Sequence, residues 1–257
     1  MKKLFWTLLI LGLIVAIVAL TAPAKLLTDR IAERNPQLQF GGVSGPWWRG
    51  EVADLRARQR PLGRLNWQVR PASLLQAPLG VDWTLGGAGI ELQGVLLRPD
   101  TTVELQDVRG RVDARWLQPA VGIPLLSFTG QVEVNLKHLR SAGQGLPEAM
   151  DLALNWVDAG VSGLAAAPLG TIRFTVRGER GRFEGRVDSQ PGDPLQVDGS
   201  FQLAERRYRA EVRLHPRDPN DPVASALRWV GQPDGAGGRL LIVDGELLLP
   251  PVEAPPS

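Results

Sequence analysis

His138 and His215 are the only imidazoles in this chain of 257 residues, and there is no cysteine. A histidine metal site or a Ser-His-Asp arrangement needs more partners than these two offer. His138 closes a strand pattern and His215 precedes Pro216. No Gly-x-Ser-x-Gly elbow and no Walker loop occurs. Gly41-Gly42-Val43-Ser44-Gly45 is glycine-rich, but no helical pattern follows it to present N–H groups to a phosphate. Glu91, Glu104, Glu133 and Glu211 fall on the polar phase of alternating runs, where a solvated face is expected. Without cysteine there are no disulfides, no thiol catalysis and no cysteine-bound metal. The expectation is a non-enzyme with no catalytic residue, cofactor or metal.

Tryptophan is the unusual resource, with eight Trp against one Tyr. Trp67, Trp83, Trp116 and Trp156 lie on apolar phases and are expected in the core. Trp47 and Trp48 are adjacent, so on a strand they point to opposite faces and one is exposed. An exposed Trp is a frequent contact anchor. The competing expectation is that a turn at Gly45-Pro46 lets both rings pack. Trp47, Trp48 and Arg49 are the candidate interaction residues.

The elements that position these residues are strands. Leu65, Trp67 and Val69 alternate with polar neighbours, as do Val81, Trp83 and Leu85. Val132–Leu136, Ile172–Val176 and Tyr208–Leu214 follow the same period of two. Such alternation marks an antiparallel sheet with one apolar face. Turn signals such as Gly86-Gly87, Arg98-Pro99-Asp100 and Gln190-Pro191-Gly192-Asp193 separate the runs. The pattern predicts about thirteen strands by the period-two criterion. The fold class is mainly β: an N-terminal transmembrane helix, then a long antiparallel curved sheet or a two-sheet domain.

One block pattern occurs twice. Leu65-Asn66-Trp67, Ala77-Pro78-Leu79-Gly80, Trp83-Thr84-Leu85 and Leu92-Gln93-Gly94 match a second, ordered set of blocks. That set is Leu154-Asn155-Trp156, Ala167-Pro168-Leu169-Gly170, Phe174-Thr175-Val176 and Phe183-Glu184-Gly185. The spacing is nearly constant, about 90 residues, as a duplicated β unit requires. The two copies should then occupy equivalent strands, with Ala120–Pro124 as the junction.

At the start, Lys2 and Lys3 precede an uncharged run from Leu4 to Ala22. As a helix it spans roughly 28 Å, near the thickness of a bilayer core. The run is long for a signal peptide, and Pro23 spoils the Ala22-Pro23-Ala24 cleavage pattern, so an uncleaved anchor is expected. The two lysines place the N-terminus in the cytoplasm and the remainder across the membrane. Without them the chain has 27 basic and 27 acidic residues, so it lacks the basic stripe of a nucleic-acid binder. Ala24–Arg34 reads as a helix stopped by Asn35-Pro36, with Leu26, Leu27 and Ile31 near one face. It either contacts a neighbour or is a plain stalk or cap.

The expected organisation is a cytoplasmic tip (1–3), an anchor (4–22) and a membrane-proximal helix (23–39). Two β units follow (40–120 and 125–218). A short helix with a terminal hairpin (219–250) and a frayed tail (251–257) complete it. The helix is expected at Asp221–Val230, with Asp221 as its cap, and the hairpin is expected to turn at Asp244-Gly245. Ser141–Pro147 is expected to be a loop special to the second unit.

From Val43 to Val52 the chain resembles protein N of the bacterial type II secretion system. Gly45, Trp48 and Gly50 match a Gly-x-x-Trp-x-Gly stretch, and Leu62-Gly63-Arg64-Leu65-Asn66-Trp67 matches a Leu-Gly-x-Leu-x-Trp segment. Tyr208–Pro216, Leu227 to Gly231, Gln232-Pro233-Asp234 and Gly238-Arg239 extend the resemblance to the end of the chain. Pro46-Trp47 departs from it, where small or polar residues are more usual. The resemblance implies a bitopic inner-membrane component near the assembly platform and the secretin channel, with no catalytic residues. The alternative is an anchored periplasmic protein whose apolar sheet face, lined by residues such as Trp67, Val81 and Trp83, cradles lipid.

Overall fold

The computed structural model describes residues 21–74, 78–99, 102–117, 126–142, 146–163, 166–204, 207–227 and 231–246. Ala120–Pro124 and all of the uncharged run except Thr21 and Ala22 lie outside them. Among the described residues no helix is long and apolar enough to cross a membrane.

The protein is mainly β. Among the described residues fourteen strands form one antiparallel sheet, in chain order except that the last strand lies inside its predecessor. The single sheet replaces the two-sheet possibility. The chain divides into two compact units, Met1–Gln93 and Gly94–Ser257.

The first unit opens with helix α1 (Ala24–Arg34), capped by the Asn35 N–H on the Ile31 and Ala32 carbonyls. Strands β1 (Leu38–Ser44), β2 (Arg49–Ala57), β3 (Arg60–Val69) and β4 (Leu79–Gly87) follow as successive antiparallel neighbours. A 3-10 turn, Pro71–Leu74, separates the last two. Val52, Leu55 and Val69 are buried, as is Ala24 of α1. The helix packs through Ala24 and Thr28, with Ile31 and Ala32 half-buried. Leu26 and Leu27 are both exposed; Leu27 shares a face with Ile31 as expected, one turn before it, whereas Leu26 does not. At 3.6 residues per turn, positions 24, 28 and 31 form one stripe; position 27 lies on its border and position 26 lies well outside it. β5 (Ile90–Arg98) spans the boundary between the units.

The second unit holds β6 (Val103–Asp113), β7 (Leu126–Ser141), β8 (Ala149–Gly163), β9 (Ala167–Glu179), β10 (Arg182–Ser189), β11 (Leu195–Ala204) and β12 (Arg207–Pro216), each paired with the next. Helix α2 (Pro222–Leu227) begins where the Asp221 carboxylate accepts the Val223 N–H at 2.9 Å, the expected cap. Val223 and Leu227 bury against Leu169, Leu195 and Val197. Each such side chain contributes about 1.5–3 kcal/mol. β13 (Gln232–Pro233) and β14 (Arg239–Glu246) complete the sheet. β14 runs straight through Asp244 and Gly245, which pair with Arg209 and Tyr208 of β12, so no hairpin turns there. An Asp-Gly pair in register with a neighbouring strand is held extended by that ladder.

The repeated blocks fall on β3–β4–β5 and on β8–β9–β10. Trp67 pairs with Gly50 on the preceding strand, and its indole N–H donates to the Trp47 carbonyl, three residues before that partner, at 2.9 Å. Trp156 pairs with Val132 on its preceding strand and donates to the Thr129 carbonyl, again three residues before, at 2.8 Å. The two tryptophans are therefore in equivalent positions, each within its own unit. The following hairpins differ by a slip: Trp67 faces Trp83, whereas Leu154 faces Phe174 and Trp156 faces Ile172. The slip is two residues and so preserves the side-chain face.

Trp67, Trp83, Trp116 and Trp156 are half-buried, less enclosed than a core position. Glu104 is the opposite case. It is nearly buried and takes Gln106 Nε2 at 3.0 Å and Arg140 Nη2 at 3.5 Å, so it does not sit on a solvated face. Trp83 Nε1 is buried with no hydrogen-bond partner among the described residues. These contrasts set an expectation for paired substitutions. Trp67→Phe and Trp156→Phe each lose a hydrogen bond and strand a carbonyl, at a cost of about 1–3 kcal/mol. Trp83→Phe removes an orphan N–H and costs less, within about 1 kcal/mol. Urea unfolding of the detergent-solubilised full chain, followed by circular dichroism, checks this; equal losses at Trp67 and Trp83 contradict it.

Candidate interaction site

Trp47 and Trp48 are half-buried and lie in the turn between β1 and β2. Strand alternation does not apply in a turn, so neither ring is thrown outward, and the competing expectation of a packing turn describes them. The turn is bound on two sides. On one side the Trp47 N–H donates to the Ala22 carbonyl at 3.0 Å, and the Ala24 N–H donates to the Gly45 carbonyl at 2.9 Å. Pro23 and Pro46 make an antiparallel bridge between them. On the other side the Trp48 carbonyl accepts the Val69 N–H at 2.6 Å, beside the indole bond from Trp67.

Gly50 makes the approach possible. It is buried, and a Cβ at this position would overlap the Trp67 ring. The pairing of Gly50 with Trp67 thus needs a residue without a side chain. Arg49 precedes it on the exposed phase of β2 and pairs with Gln68. The structure brings Trp47 and Trp48 together with the Trp67 segment and leaves Arg49 facing solvent.

A second cluster joins residues far apart in the chain. His215 Nε2, at the end of β12, lies 2.8 Å from Asp234 Oδ2. The other carboxylate oxygen accepts the Ala236 N–H at 2.9 Å and the Gly238 N–H at 2.8 Å. The Ala236 amide is the largest influence and lowers the Asp234 pKa; desolvation opposes it, and the Gly238 amide and then the charge of His215 lower it further, so the net direction is down. A Cβ on Gly238 would meet the His215 ring and the Asp234 carboxylate. His215, Asp234 and Gly238 therefore form one interlocked loop anchor. Reading residue types singled out none of them as partners; the usable signal was an Asp four residues before a Gly-rich run's end. Among the described residues no group of three or more His, Asp or Glu side chains could hold a metal.

The two clusters fall on the segments that carried the resemblance, the Trp48–Gly50 and Trp67 stretches in one case and His215, Asp234 and Gly238 in the other. A family model described as type II secretion system, protein N matches residues 36–241. The chain belongs to the type II secretion system protein N family. Type II secretion system protein N of Vibrio cholerae is 28% identical over 225 residues, covering 82% of this chain and 85% of that one. The protein of the same name from Aeromonas hydrophila is 27% identical over 235 residues, covering 88% and 91%. No solved structure matches the chain. The family match begins at residue 36, so α1 lies outside it.

The lowered Asp234 pKa carries a sign. A carboxyl that titrates below its ordinary value of about 3.9 when folded stabilises the loop above that pH. The contribution is lost as pH falls through the lowered folded value. Acid titration of the Gly238 amide resonance should give a midpoint below about 3.9, absent in Asp234→Asn. A midpoint at or above the ordinary value contradicts the arrangement.

Proposed function

We propose that this chain is a bitopic inner-membrane component of the type II secretion machinery. Residues 4–22 anchor it, Lys2 and Lys3 hold the N-terminus in the cytoplasm, and the β body stands in the periplasm against other secretion subunits. Those partners are the inner-membrane assembly platform and the secretin. The observation that carries the reading is the family match across residues 36–241, preceded by an uncharged run of transmembrane length. The protein acts by contact and not by chemistry, with the Trp47-Trp48-Arg49 turn as a candidate contact. Its half-buried rings sit where the chain emerges from the anchor, and its arginine is exposed.

The repeat is best explained by duplication of one β unit, since Trp67 and Trp156 make the same hydrogen bond at the same offset. The working organisation keeps two β units, the short helix and the tail as separate parts of one periplasmic body.

A second reading is a lipid-handling surface. Trp67, Val81 and Trp83 are half-buried, so part of each apolar side chain stays open to an acyl chain. Native mass spectrometry separates the two readings, because bound phospholipid at stoichiometric occupancy appears only in the second.

Topology is directly testable, because the chain lacks cysteine. A membrane-impermeant maleimide, applied to cells with a permeabilised outer membrane, should label Ser200→Cys and spare Lys3→Cys until lysis. Labelling of Lys3→Cys from outside reverses the assignment. Mild solubilisation should co-purify other secretion subunits; repeated recovery of the chain alone contradicts the proposal.

A further inference from the structure

The outer face of α1 is chemically unlike an ordinary solvated helix face. Leu26, well outside the packed stripe, is 65% exposed, and Leu27, on the border of that stripe, 43%. At 3.6 residues per turn, Arg30 and Arg34 lie one and two turns beyond them on the same side. Glu33, seven residues after Leu26 and so on the same side, is 3.8 Å from Arg30 in an exposed pair, which contributes little to holding either side chain. Apolar residues beside long basic side chains are the composition of a helix lying in a membrane interface. There the apolar groups sink about 5–10 Å and the cations meet phosphate.

The chain's own path puts a bilayer within reach. Pro23 is extended (φ −70°, ψ 142°), so α1 does not continue the backbone before it. The exit is also clamped: Ala22 and Ala24 are hydrogen-bonded to the Gly45–Trp47 turn. Leu26 follows Ala22, the end of the uncharged run, by only four residues. Even fully extended, four residues cover no more than about 14 Å. The headgroup layer on each side of a bilayer core is itself roughly 5–7 Å deep. A helix pinned at that distance, with its other face already packed on the domain, has the lipid surface as its nearest occupant.

We propose that the outer face of α1 lies in the headgroup layer of the membrane that residues 4–22 enter, with Leu26 and Leu27 at the acyl boundary and Arg30 and Arg34 against lipid phosphates. This rests on the anchored reading given above. The helix, fixed to the Trp47 turn, thereby sets how the β body stands on the membrane.

Site-directed spin labelling of the full chain in vesicles of phosphatidylethanolamine and phosphatidylglycerol tests this. Labels go at Leu26→Cys and Leu27→Cys, with Asp29→Cys on the polar flank and Leu13→Cys inside the uncharged run. The expected result is an oxygen-to-nickel-complex collision ratio several-fold higher at 26 and 27 than at 29, and highest at 13. Ratios at 26 and 27 equal to that at 29, with a deep label at 13, overturn the proposal and leave the anchor standing; the face is then open to a protein. A water-exposed label at 13 overturns the anchor and this inference together.

Discussion

A half-buried indole N–H is stabilised by an acceptor, and Trp67 and Trp156 each find one at the same offset, one in each unit. For Trp67 it is the Trp47 carbonyl, which lies in a turn and not in a ladder. A carbonyl already used by a neighbouring strand has less to offer, so the bond favours a place where the backbone leaves the regular pattern. The second unit solves the problem in the same way. The Trp156 acceptor, Thr129, sits beside a register shift between β7 and β8. Trp156 is further held by an edge-to-face contact with Phe128, ring centroids 5.5 Å apart. Trp83 pairs with Trp67 in an unbroken stretch of the β3–β4 ladder, and its N–H is unpaired among the described residues.

In the first unit the consequences propagate. The Trp67 bond holds the Gly45–Trp48 turn, Gly50 admits the ring, and the turn in turn holds Ala22 and Ala24. The path of the chain between its uncharged run and the β body is thus coupled to the packing of one strand. A stiff exit of this kind suits a subunit that works by presenting a surface at a fixed attitude. A flexible stalk would let the surface wander. At the far end of the chain, the Asp234 carboxylate performs the comparable task for a glycine-rich loop that no apolar packing could order.

Strand content was legible in residues such as Val132–Leu136 and Tyr208–Leu214, because period-two alternation reflects one-sided burial directly. The helix at Ala24–Arg34 and the Asp221 cap were legible for a similar reason: both are local. What was not legible depended on register. The alternation argument for Trp47 and Trp48 presupposed a strand where the chain makes a turn. Asp244-Gly245 looked like a hairpin until its pairing with β12 was known. Glu104 looked solvated because Arg140, its cross-strand partner, is distant in sequence. The exposure of Leu26 and Leu27 required knowing which stripe of α1 meets the sheet. The candidate site was half visible, since Trp47, Trp48 and Arg49 stood out by type. The His215–Asp234 contact joins a strand end to a later loop, so the Asp and its Gly-rich run were visible but their partner was not.

The central claim is that this protein works by contacting other secretion subunits at the membrane surface of the periplasm. The most direct test places a photo-crosslinking amino acid at Arg49 in the full chain in actively secreting cells. Adducts with an assembly-platform or secretin subunit, lost when the turn is disrupted by Gly50→Trp, are the predicted result. Adducts confined to lipid, or to proteins unrelated to secretion, contradict the account.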